Sequence, residues 1–169
     1  MIRILKQIFR TGVVTEPLPL ITDPELEKIG VELEEAIRRR FRRSLTIRQV
    51  DAGSCNACEL EIHAVNNSLY NCERFGIQFT ASPRFADMLL VTGPVSHNME
   101  IALRRTYDAT PTPKLVVAVG DCGCWGGIFG ETYASLGGID KVIPVDARIP
   151  GCPPTPTVLL QGILKAIGG

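Results

Sequence analysis

The side chains in this sequence best suited to chemistry are cysteines, and they are unevenly spaced. Cys55 and Cys58 form a C-x-x-C pair in "DAGSCNACELE". Cys122 stands in "VAVGDCGCWGG", with Cys124 two residues on, and Cys152 stands in "DARIPGCPPTP". A local pair with two distant singles can hold an iron–sulfur cluster or a zinc ion, and a lone pair can act as a redox dithiol. Structural zinc usually takes two local pairs on a module with little core. The glycine-rich turns "AGSC", "GDCGCWGG" and "PGCPP" instead let backbone approach a bulky cluster and donate N–H groups to its sulfides. Cysteine followed by proline also recurs in ferredoxin-type cluster motifs. An iron–sulfur site therefore fits the spacing best, with zinc and a dithiol as the alternatives.

The elements that must position these thiols can be read from hydrophobic periodicity. Strands are expected at "LTIRQVD", "GIQFTAS", "DMLLVTG", "KLVVAVG" and "KVIPVD", and helices at Cys58–Asn71, Asn98–Asp108 and Pro156–Ile167. Strands alternating with helices predict an α/β fold with a mainly parallel sheet covered on both faces. Binding sites in such sheets lie at the carboxyl ends of strands, and Cys55, Cys58, Cys122 and Cys152 all follow strand ends. Before Leu45 the pattern differs. Residues 1–12 read as a basic amphipathic helix, "VVTEPLPLITDP" as an extended linker, and a helix capped by Asp23 and Pro24 runs on to "RRRFRR". The expected division is an N-terminal extension over 1–44 and a cluster domain over 45–169. Residues 1–12 suit docking. Charge alone favours a partner's groove over lipid, since three cations each gain only about 1 kcal/mol at an anionic surface.

With 45% hydrophobic and 21% charged residues, the chain should fold as an ordinary globular domain. Eighteen basic residues balance eighteen acidic ones, so nothing draws it to nucleic acid. No apolar run reaches the roughly 18 residues needed to span a bilayer, and no secretory signal is visible, so a cytoplasmic setting is expected. There, six cysteines serve better as ligands or core residues than as disulfides. Cys72 falls on a stripe with Cys58, Ile62, Val65 and Leu69 and reads as a buried small hydrophobe. In "CGC", Cys122 lies nearer the strand end and is preferred over Cys124 as a ligand. His63 and His97 have no second ligand at metal spacing. Glu59 and Glu61 suit the first turn of their helix, and Glu59 could alternatively carry protons.

Four stretches, "GSCNACELEI", "SPRFADMLLVTGPVS", "GDCGCWGG" and "IPGCPPTP", resemble the small subunit of membrane-bound, energy-converting nickel–iron hydrogenases of the formate-hydrogenlyase type. That subunit is homologous to the cluster-bearing subunit of respiratory complex I. The resemblance implies a flavodoxin-like three-layer α/β/α fold and one 4Fe–4S cluster held by Cys55, Cys58, Cys122 and Cys152. Complex I subunits carry adjacent cysteines at the first motif, whereas the hydrogenase branch separates them by two residues, as here. Ala57, where the hydrogenases usually carry glycine, and Cys124 depart from the usual pattern without removing a ligand. The implied function is electron transfer between a ferredoxin-like subunit and the nickel–iron site of a large subunit, for proton reduction or hydrogen oxidation. Integral membrane subunits would couple this to ion movement, with the chain peripheral on the cytoplasmic face. No nickel-binding cysteine set is visible, and the chain ends soon after its last helix, so one cluster and no activity alone are expected. The alternatives are a complex I-like quinone oxidoreductase subunit and a zinc-stabilised scaffold. A flavodoxin is disfavoured because C-x-x-C stands where a phosphate-binding loop belongs.

Overall fold

The computed structural model describes residues 2–12 and 23–168; most of the expected linker lies outside them. Helix α1 runs Ile2–Thr11 and α2 Pro24–Phe41. The start of α2 follows from its sequence: the Asp23 carboxylate accepts the backbone N–H groups of Glu25 and Leu26, and Pro24 needs no partner at the first position. Strands β1 (Leu45–Asp51), β2 (Ile77–Phe79), β3 (Met88–Thr92), β4 (Leu115–Val119) and β5 (Ala147–Ile149) form one sheet in the order β2-β1-β3-β4-β5. Every pairing is parallel. This is the flavodoxin-like order, whose crossovers must carry helices on both faces.

Alternation along the strands divides the core. Leu45, Ile47, Met88, Leu90, Val117 and Val119 face one side, where α2, α3 (Ala57–Val65) and α6 (Pro156–Gly168) cover them. Val50, Leu89, Val91, Val116 and Ala118 face the other, against α4 (His97–Ala109) and α5 (Gly120–Trp125). Strands buried on both faces explain why "DMLLVTG" and "KLVVAVG" are continuous apolar runs. Helix α2 supplies Leu26, Ile29, Leu33, Ala36 and Ile37 to the first core, and its Arg40 guanidinium donates to the Ile167 carbonyl at the end of α6.

Three expected elements differ. The last strand is not "KVIPVD": Ile139–Lys141 form a 3-10 turn, Val142 and Ile143 enter the second core from a loop, and pairing begins at Ala147 opposite Val117. Pro144, which has no N–H to donate, stands where the ladder would need one. Helix α3 stops at Val65, well short of Asn71, because the Asn67 side chain accepts the N–H groups of Leu69 and Tyr70 and turns the chain. Leu69 is consequently exposed, whereas Cys72 reaches the core from a separate 3-10 turn. The third is "GDCGCW", expected as a loop and found as α5.

Candidate metal centre

The four cysteines that follow strand ends come from three loops at the carboxyl edge of the sheet. The first loop is built by a short chain of hydrogen bonds. The Asp51 carboxylate, at the end of β1, accepts the N–H groups of Gly53 and Ser54, both at 2.8 Å. The Ser54 hydroxyl then accepts from the Asn56 N–H and donates to Glu59 at 2.5 Å. These bonds present Cys55 to solvent and place Cys58 in the first turn of α3, buried.

The second and third loops are tied to each other. Asp121, in the first turn of α5, donates its N–H to the Gly151 carbonyl at 2.9 Å, and its side chain accepts the Gly151 N–H at 2.8 Å. Cys122 and Cys152 are the next residues along each loop, so this reciprocal pair fixes one against the other. Asp121 carried no signal in the sequence beyond its place beside a cysteine. Its role exists only once β4 and β5 are neighbours.

Helix α5 also separates the two cysteines of "CGC". Residues two apart on a helix point about 200° apart. Cys124 turns inward: it is 1% exposed, packs in the second core, and its thiol lies 3.7 Å from the Ala118 carbonyl. Cys122 turns toward the other thiols. On an extended loop the two would have pointed the same way.

Cys58, Cys55, Cys122 and Cys152 lie within electrostatic reach of one another. Burial, foremost, and then the Glu59 carboxylate and the other three sulfurs push the Cys58 thiol up to about 12. Burial first, then Cys152 and Cys55, also raises Cys122. Bound iron or zinc would supply the positive charge that favours the thiolate at Cys58 and Cys122. Glycine lines the space between them. A Cβ on Gly120, at φ +79°, would come 2.7 Å from the Cys58 sulfur. One on Gly127, at φ +54°, would come 2.7 Å from the Cys122 sulfur. Among the described residues no three His, Cys, Asp or Glu side chains are already arranged to hold a metal ion. The bare glycines beside Cys58 and Cys122 leave the approach to both sulfurs open, as a bulky iron–sulfur group would need.

The remaining candidates fall elsewhere. His63 and His97 are exposed on α3 and α4, and His63 lines a cavity of about 450 Å³ with Arg48, Ile62 and Phe79 that none of the four cysteines touches. Glu59 is 5% exposed, and its second oxygen has no hydrogen-bond partner. Glu61 is half-buried. The sequence reading missed a surface. Beyond Cys122, Trp125 at the end of α5 and Ile128, Phe129 and Tyr133 in the loop that leaves it stand 53–99% exposed. Large apolar groups in a glycine-rich stretch too irregular for a strand were the available signal.

Residues 55–166 match the family of the 20 kDa subunit of NADH ubiquinone oxidoreductase. The chain belongs to this family. Its relatives are subunits of oxidoreductase complexes, and the family is iron–sulfur-bearing. Formate hydrogenlyase subunit 7 of Escherichia coli is 41% identical over 90% of this chain and 58% of its own length, so the match spans little more than half of that relative. The probable membrane-bound hydrogenase subunit mbhJ of Pyrococcus furiosus is 43% identical over 74% of this chain and 75% of its own. An NADH-quinone oxidoreductase subunit of Heliobacterium modesticaldum is 45% identical over 64% and 62%. In structure, the chain resembles one from the membrane-bound sulfane sulfur reductase, an archaeal respiratory membrane complex. The TM-score is 0.67 and the identity 36%, covering 81% of this chain and 75% of that one.

Proposed function

We propose that this protein is the electron-transfer subunit of a membrane-bound, energy-converting hydrogenase. It would carry one 4Fe–4S cluster on Cys55, Cys58, Cys122 and Cys152, between a ferredoxin-like subunit and the nickel–iron site of a large subunit. The observation that carries the reading is the arrangement of these four thiols, with the first two separated by two residues, at one sheet edge. The cluster, when bound, supplies one-electron transfer. The chain's own residues do the rest. The Asp51 hydrogen bonds shape the first loop, the Asp121–Gly151 pair ties the second to the third, and burial of Cys58 keeps water from one side of the site. The exposed apolar stretch from Trp125, at the end of α5, to Tyr133, beside Cys122, is the surface that the large subunit would cover, drying the site and shortening the electron path.

Among the described residues no helix is long and apolar enough to cross a membrane. In the proposed setting the subunit is peripheral, on the cytoplasmic face, and held by integral ion-translocating subunits. The second reading is a quinone-reducing, complex I-like subunit, favoured by the relatives named as NADH-quinone oxidoreductase subunits. The large subunit encoded alongside this chain separates them: two C-x-x-C pairs that bind nickel support the hydrogenase, and their absence supports quinone. Iron and sulfide analysis with EPR of the reduced protein tests the cofactor directly. A colourless protein holding stoichiometric zinc would overturn the proposal.

A further inference from the structure

Helix α1 has a face that nothing in the described structure covers. None of its residues is buried. Ile2, Ile4, Leu5, Ile8 and Phe9 are 83%, 65%, 51%, 58% and 86% exposed. Placed on a helical wheel at 100° per residue, these five fall within an arc of about 160°, and Arg3, Lys6, Gln7, Arg10 and Thr11 fill the remainder. The division is complete: no charge enters the apolar arc, and no large apolar group enters the polar one. The segment holds three cations and no acid.

We infer that α1 is an interfacial anchor that lies flat on an anionic lipid surface. Its apolar arc enters the acyl boundary, and Arg3, Lys6 and Arg10 meet lipid phosphates. A helix seated in a protein groove typically shows a narrow stripe of anchors at i, i+3 or i+4 and i+7, with its flanks matched to both signs of charge on the partner. An apolar arc close to half the circumference, bordered by cations alone, is the pattern of helices that lie in the membrane interface. Three cations are too few to anchor a protein by charge, which is why charge alone favours a protein groove. The structure adds five uncovered apolar side chains on one arc, so attachment divides between apolar burial and charge. Because α1 packs against no core residue, the inference holds whether the complex reduces protons or quinone.

Vesicle flotation of the full-length, cluster-loaded subunit tests it. Vesicles of phosphatidylcholine alone are compared with equal parts phosphatidylcholine and phosphatidylglycerol. The subunit should bind the anionic vesicles about a hundredfold more tightly than the neutral ones, and added salt should weaken but not abolish that binding. Ile4→Asp with Ile8→Asp, or deletion of residues 2–12, should lower binding to anionic vesicles about tenfold and leave the EPR signal unchanged. Replacing Arg3, Lys6 and Arg10 by Gln should remove the preference for anionic lipid. Equal, weak binding of the wild-type subunit to both vesicle types would overturn the inference. So would a truncated subunit that leaves its complex at moderate salt although the intact one never bound vesicles, since α1 would then occupy a protein groove. Loss of the EPR signal in the wild-type subunit would count against the proposed cofactor, and not against the anchor.

Discussion

Cys122 and Cys124 show how much one backbone choice can decide. Two thiols two positions apart are chemically equal, yet six helical residues send one to the core and the other toward the remaining cysteines. Cys58→Ser, Cys122→Ser or Cys152→Ser should therefore abolish or convert the cluster, whereas Cys72→Ala should leave iron content and EPR unchanged. A cluster lost in Cys72→Ala but kept in Cys122→Ser would defeat the assignment. Gly120→Ala should act like a ligand loss without removing a thiol, because its Cβ would meet the Cys58 sulfur and φ +79° strains any L side chain. Iron content well below wild type in a folded protein is the expected result. Cys72 itself gives a pH prediction. Burial, and secondarily Glu73, lift its thiol to about 11 from an ordinary 9.0. The neutral thiol is the form that the fold keeps. Its contribution is complete below pH 9 and is lost as pH rises through the window to about 11, as the unfolded thiol ionises first. Thermal unfolding of wild type should lose on the order of 2 kcal/mol across that window relative to Cys72→Ala.

Among the elements, α2 is held to the sheet domain by a close approach that composition does not reveal. Gly30 sits mid-helix, where alanine is ordinarily favoured by about 1 kcal/mol. Here a Cβ would lie 2.1 Å from the Phe75 ring. Overpacking of that kind costs about 1–3 kcal/mol, so Gly30→Ala should destabilise the protein in urea titration despite its better propensity. Adding Phe75→Leu should restore part of the loss, a coupling that a pure propensity effect would not show. Helix α1 is the opposite case: with no buried residue, its removal should leave the unfolding midpoint of the remaining chain unchanged.

At the scale of the whole molecule, the four thiols and the exposed apolar stretch from Trp125 to Tyr133 share one edge. Trp125 ends the helix that carries Cys122 and the loop to Tyr133 follows directly, so a partner that covers this stretch also covers the site. Ile128→Glu with Tyr133→Ser should reduce co-purification of the large subunit while leaving the isolated subunit's iron content and EPR signal intact. Retention of the large subunit at wild-type yield would show that the interface lies elsewhere. In the proposed reading the purified subunit alone, with its cluster assembled, neither evolves nor consumes hydrogen. Hydrogen evolution from reduced viologen by the chain by itself would refute that reading.

What the sequence determined alone were features set by local chemistry and by period. Alternating strands and helices dictated a parallel sheet, and doubly apolar strands such as "DMLLVTG" dictated burial on both faces. Asp23 and Pro24 marked the start of α2, and clean segregation of charge marked α1. Three loops following strand ends named the candidate thiols before their surroundings were known. Tertiary structure decided what depends on neighbours distant along the chain. It put the last strand at Ala147, because pairing with Val117 requires donors that "KVIPVD" interrupts with proline. It turned "GDCGCW" into a helix and so buried Cys124, and it joined Asp121 to Gly151 across 30 residues. Side-chain periodicity reports which face of an element is apolar. It carries no record of which loop a folded sheet sets beside another, and the geometry of this site was made there.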